Sequence, residues 1–181
     1  RIIGLQAQTK DSGTASHGHN MQSLLEKNGL KGRVRIIQKK AGTDEVVHVS
    51  KWMDNLVMRG ADTGIDVILD RLAGVLTYSL DLTYADIGTG NTAPAITDVA
   101  LTTPTLRALR AYSSVTGASV TLQYFFTDTL LANATYREFA TFMDGSSTIS
   151  TGRIFNHILF PTPYVKTSGI DTTVEVQFTI S

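Results

Sequence analysis

Cysteine is absent from this 181-residue chain, which removes disulfide frameworks, thiolate zinc sites and thiol nucleophiles together. Charge is scarce as well. Asp, Glu, Lys and Arg make up 18% of the residues, against about 25% in an average soluble domain. The 16 basic side chains balance 16 acidic ones, so formal net charge is zero. Without a basic excess there is no electrostatic footprint for a phosphate backbone, and no nucleic-acid partner is expected. No apolar run approaches the roughly 20 residues that a membrane-spanning helix needs. The opening residues, Arg1 to Lys10, lack the apolar core of a signal peptide. We therefore expect a soluble chain with no membrane partner.

Thr, Ser and Gly fill the places that charge leaves empty. That composition suits a subunit covering much of its surface with neighbours, and it equally suits a strand-rich domain, since Thr is a strand former. Residues 1–22 are polar and aperiodic around Asp11-Ser-Gly-Thr-Ala-Ser-His-Gly-His-Asn20. They cannot bury enough apolar area alone to offset the entropy of ordering. We read them as an extended N-terminal arm that docks on a neighbouring subunit, and residues 23–181 as a single domain.

Within that domain, Gly32 to Lys40 and Glu45 to Trp52 flank a short Gly/Asp turn and predict a hairpin over 32–52. Val34, Ile36, Val47 and Val49 alternate with Arg33, Arg35 and His48, giving one buried and one wet face. From Met53 the period changes. Leu56, Val57, Ala61, Ile65, Ile68, Leu69 and Leu72 recur three or four apart, which predicts one amphipathic helix over 54–72 packed across a sheet. Gly60 and Gly64 weaken its first half by about 1 kcal/mol each. The remainder reads as strands: Tyr78–Ile87, Leu106–Tyr112, Ser119–Phe126, Tyr136–Phe142, Gly152–Phe160 and Thr172–Ile180. Short strands separated by Gly, Pro, Asn and Ser predict a mainly β fold, an antiparallel β-sandwich. Tyr124, Phe125, Phe126 and Tyr164 are expected to fill its interior.

Candidate sites are few. Gly88-Thr-Gly-Asn-Thr-Ala-Pro94 carries no Gly-Lys-Ser/Thr and opens no helix, so its glycines are read as turn residues and not as a phosphate cradle. His17 and His19 would share one side of an extended arm. In a trimer they could gather around an axis as metal ligands, but no acidic residue or further histidine clusters beside them. His48 and His157 fall inside strand patterns. Asp98 fits a turn or a helix N-cap, accepting backbone N–H bonds. No Gly-x-Ser-x-Gly elbow is present, and Asp81, Asp86, Asp98 and Asp128 are scattered without a favoured pair. No catalytic residue, cofactor or resident metal is expected.

Two segments and a closing strand carry a resemblance. Ile87-Gly-Thr-Gly-Asn-Thr-Ala-Pro94 leads to Asp98-Val-Ala-Leu101; Arg137-Glu-Phe-Ala-Thr-Phe142 follows, and Val174-Glu-Val-Gln-Phe-Thr-Ile180 ends the chain. In order and spacing this series resembles small structural proteins of tailed bacteriophages. It departs from them at Ala140, where Gly is more usual, and in the loop from Gly145 to Gly152. The resemblance implies a non-enzymatic virion protein, an auxiliary subunit on neck, tail or capsid, with other virion proteins as partners and a homo-oligomer such as a trimer or ring. A receptor- or glycan-binding fibre module would expose clustered aromatics, and a virion-associated cell-wall hydrolase would set two carboxylates in a cleft. Both remain as alternatives.

Overall fold

Strands with one apolar face must bury that face, and here they do so by curling the sheet onto itself. The computed structural model describes residues 29–60, 62–75 and 78–181. The arm expected over residues 1–22, with His17 and His19, lies outside them. In chain order the elements are β1 (Leu30–Lys40), β2 (Val46–Val49), β3 (Met53–Val57), β4 (Arg59–Gly60), α1 (Gly64–Leu72), β5 (Tyr84–Gly88), β6 (Pro104–Thr116), β7 (Ser119–Phe126), β8 (Thr135–Met143), β9 (Arg153–Val165) and β10 (Ile170–Ile180).

Nine strands form one sheet in the order β10-β7-β6-β5-β8-β9-β3-β1-β2, and β1 also pairs with β10. Eight strands thus close an antiparallel barrel, with β2 attached outside the ring. The mainly β expectation holds, whereas the two sheets of the expected sandwich are joined. The ladder from Leu30 opposite Ile180 to Lys40 opposite Ile170 removes the edges an open sandwich would leave. Two strands turn the corners. β6 pairs with β5 as far as Leu109 and with β7 from Arg110, and β3 pairs first with β1 and then with β9.

Inward side chains from every wall fill the barrel, among them Val34, Ile36, Ile87, Leu122, Tyr124, Phe126, Phe139, Val174, Val176 and Phe178. Phe125 does not join them and is half-exposed. Consecutive strand residues point to opposite faces, so Tyr124 and Phe126 inside force Phe125 out. A second, smaller core of Met58, Leu101, Ala140, Phe142 and Ile154 is separate from the first. It explains why β8 is apolar on both faces: one lines the barrel, and the other packs against Leu101 in the long β5–β6 connection.

Three further expectations are corrected. The helix over 54–72 is helical only from Gly64; Met53–Val57 is strand β3, which closes the ring between β1 and β9. Leu56 and Val57 suit both readings by spacing, and the ladder decides. Gly64 is required at the break, with φ +48 and a Cβ position that would lie 1.9 Å from the Met58 carbonyl oxygen. The hairpin forms, yet every residue of β2 is exposed and neither face of it is buried. Finally, the strand expected over Tyr78–Ile87 starts only at Tyr84, after Leu80 adopts φ +65.

Candidate functional site

The two motif segments meet at one carboxylate. Glu138, on β8, is fully buried and accepts three backbone hydrogen bonds from the β5–β6 connection. These come from Gly90 N at 3.0 Å and Thr103 N at 2.7 Å to Oε1, and from Thr102 N at 3.0 Å to Oε2. A buried carboxylate is costly unless its lone pairs are filled, and these three donors fill most of them. The glycines make room for it. A Cβ at Gly90 or Gly88 would lie 2.4 or 2.6 Å from Glu138 Oε1.

Beside Glu138 stands His157 on β9, also buried. Its Nδ1 lies 2.8 Å from Asp98 Oδ2, and the same oxygen accepts from Ala95 N at 2.9 Å. The turn expected at Asp98 is therefore present, with an imidazole partner that sequence spacing did not reveal. His157 Nε2 is 3.4 Å from Glu138 Oε2, yet it makes no hydrogen bond among the described residues. No directed hydrogen bond joins the two side chains there. In a hydrolytic triad the carboxylate orients one ring nitrogen while the other faces a hydroxyl. Here both ring nitrogens face carboxylates, so the arrangement clamps the loop and aims at no nucleophile.

The other scattered acids are engaged in the same manner. Asp86 and Arg107 form a buried pair, with Nε 2.5 Å from Oδ1 and Nη2 3.0 Å from Oδ2. Together they hold the Gly145–Gly152 loop: Ser150 N donates to Asp86 at 2.9 Å, and Arg107 Nη1 donates to the carbonyls of Ser146 and Thr151. Asp81 pairs with Arg110. Asp128 accepts from Lys166 Nζ at 2.5 Å and from Gly169 N at 3.0 Å. The lysine's hydrogen bond, joined by the backbone N–H of Gly169, holds the Asp128 carboxyl below the usual aspartate range. Among the described residues no group of three His, Asp or Glu side chains is placed to hold a metal ion.

Two clefts open on the surface. One, of about 490 Å³, lies beside the start of β1 against Leu30, Asn55, Val57, Arg59 and Ile65. The Asn55 carboxamide at its wall has no hydrogen-bond partner among the described residues. The second, of about 890 Å³, separates β2 from the end of β9 and is lined by Gln38, His48, Val49, Trp52 and Pro161–Val165. Trp52 is the single tryptophan of the chain, and the Arg33 and Arg35 guanidinium groups each stand 4.5 Å from its ring centre. Among the described residues β2 pairs with β1 alone, and Val46, Val47 and Val49 on it are 52%, 56% and 43% exposed.

No helix among the described residues is long and apolar enough to cross a membrane. Comparison with protein-family models, with curated proteins and with solved structures finds no match to this chain.

Proposed function

We propose that this protein is a non-enzymatic structural subunit of a tailed-bacteriophage virion, an auxiliary component that docks on neck, tail or capsid through its N-terminal arm and a strand edge. The observation that carries the reading is β2, an edge strand with three exposed valines and, among the described residues, no strand on its outer side. Folded monomers blunt such edges with charge, proline or a covering loop, because an open edge recruits other strands. A subunit made for assembly keeps one open. Two features add support. The residues that carry the resemblance (Gly88, Gly90, Asp98, Leu101, Glu138 and Phe142) gather around one buried carboxylate and one small core, so the motif works as a structural unit. The four acids a hydrolase would draw on are committed to ion pairs or hydrogen bonds.

Copy number per particle tests the proposal, by quantitative mass spectrometry of purified virions against the major capsid protein. Hundreds of copies would mark a capsid-coating subunit, and six to eighteen a neck or tail component. Absence from particles would overturn the reading.

A further inference from the structure

The groove between β2 and β9 is bounded by two strand edges that lack partners among the described residues. β9 pairs with β8 from Arg153 to Leu159 and again at Tyr164 and Val165, but on its other side, among the described residues, it meets β3 only at Asn156 and His157. From Ile158 to Val165 that second edge has no strand of the described residues beside it. Pro161 and Pro163 have no N–H to offer, so the β9 wall is poor in donors and blunted against pairing. The β2 wall carries no proline and is not blunted. An arriving strand would therefore hydrogen-bond to β2 and pack its side chains over Trp52, Pro163 and Val165.

The chain has a segment of fitting pattern beyond its barrel. Residues 1–22 taken together are polar and aperiodic, but within their first eight Ile3, Leu5 and Ala7 alternate with Gly4, Gln6 and Gln8, the period of a half-buried strand. Residues 9–28 then separate this segment from the barrel, enough to span about 66 Å when extended. A linker of that length reaches the groove of its own copy as well as a neighbour's, and the reading of the chain as an assembling subunit favours the neighbour's. The linker enters at Leu30, while the groove lies beyond Gln38 at the other end of β1, about 26 Å away at the rise of a strand. Both edges of β1 are occupied, one by β10 and the other by β3 and β2, so the chain cannot return alongside it as a strand. It leaves one end of its own barrel, and the acceptor groove opens at the other.

We infer that residues 2–8 of one copy add as a strand to β2 of a neighbouring copy, filling its β2–β9 groove. This rests on the reading of the chain as an assembling subunit and names the contact. Donor and acceptor are different surfaces, so the contact is head-to-tail and closes into a ring where the rotation permits. Main-chain bonds to β2 supply affinity, and the apolar alternation of the donor supplies register.

The test uses the full chain with Trp52 as reporter. Wild type should sediment as an oligomer. The double variant I3D/L5D should sediment as a monomer, with self-association weakened about 100-fold and Trp52 emission shifted to the red, while thermal melting of the barrel is unchanged. Val49→Arg, on the exposed acceptor strand, should also dissociate the oligomer. Mixing the two variants should give a one-to-one pair, because one keeps the groove and the other keeps the donor. The inference falls if wild type is monomeric at its highest soluble concentration, or if I3D/L5D assembles as wild type does. A monomeric wild type whose Trp52 emission depends on Ile3 and Leu5 would mean the arm fills its own groove, which also overturns it. None of these results bears on presence in virions, so the contact and the virion reading can fail separately.

Discussion

Glu138 sits where a carboxylate costs most, with its side chain fully buried between β8 and the loop folded over it. Three backbone N–H groups offset that cost, and the close approach of Gly90 makes one of them available. Because the carboxylate and the glycine occupy each other's space, their substitutions should not add. Glu138→Ala leaves three backbone donors without their acceptor and should lower stability by about 3–5 kcal/mol. Gly90→Ala forces a methyl to 2.4 Å from Oε1 and should cost about 2 kcal/mol by itself. With Glu138 already Ala, the same Gly90→Ala change should cost about 1 kcal/mol less, the rest being its contact with Thr102. Denaturant titration of the four chains reads the coupling. Strict additivity would mean that Glu138 and Gly90 are not one unit. Little of this was legible beforehand. Asp98, Glu138 and His157 are far apart in the chain, and each alone reads as a turn or strand residue. The available signal was a charged pair, Arg137-Glu138, in a strand whose neighbours are apolar on both faces, which marks a charge that must be buried.

At the scale of elements, legibility followed periodicity. Ser119–Phe126 and the β8 and β10 strands emerge close to where alternation places them, since a period of two has no competing reading there. The segment from Met53 to Leu72 was ambiguous by nature, because apolar residues three and four apart also fit a short strand, a turn and a short helix in succession. Only the ladder to β1 and β9 resolves it, and that is a long-range fact. The β9–β10 turn offers a test of how such connections are held. Lys166 is fully buried and Asp128 anchors it. The Asp128 carboxyl titrates lower in the folded chain than in the unfolded one, so its contribution is complete above the unfolded value and is lost as pH falls through the folded one. Asp128→Asn should therefore lower the melting temperature at pH 7. The gap from wild type should narrow below about pH 4, as the wild-type carboxylate takes up its proton and loses the charge that the variant never has. A gap that stays constant from pH 7 to pH 2 would show that the ion pair is not what holds the turn.

For the molecule as a whole, closure is the costly step. β1 and β10 come from opposite ends of the described chain, and their ladder joins Leu30 to Ile180. Such long-range pairing must overcome loop entropy before any contact rewards it. β10 is the strand on which this depends: it pairs with β1 on one edge and β7 on the other, and it sends Val174, Val176 and Phe178 into the core. A chain ending at Gly169 should show no cooperative melting transition, since it exposes two strand edges and opens the barrel along its length. Deleting residues 1–22 makes the opposite case. If that segment serves contacts between copies, the shortened chain should melt within about 4 °C of the full chain in its dissociated state, equivalent to about 1–2 kcal/mol for a domain of this size, and should fail to assemble. Calorimetry on both truncations, with sedimentation on the second, separates barrel from arm. A 1–22 deletion that melts far earlier would make the arm part of the core, and docking through it would no longer account for the open edge at β2.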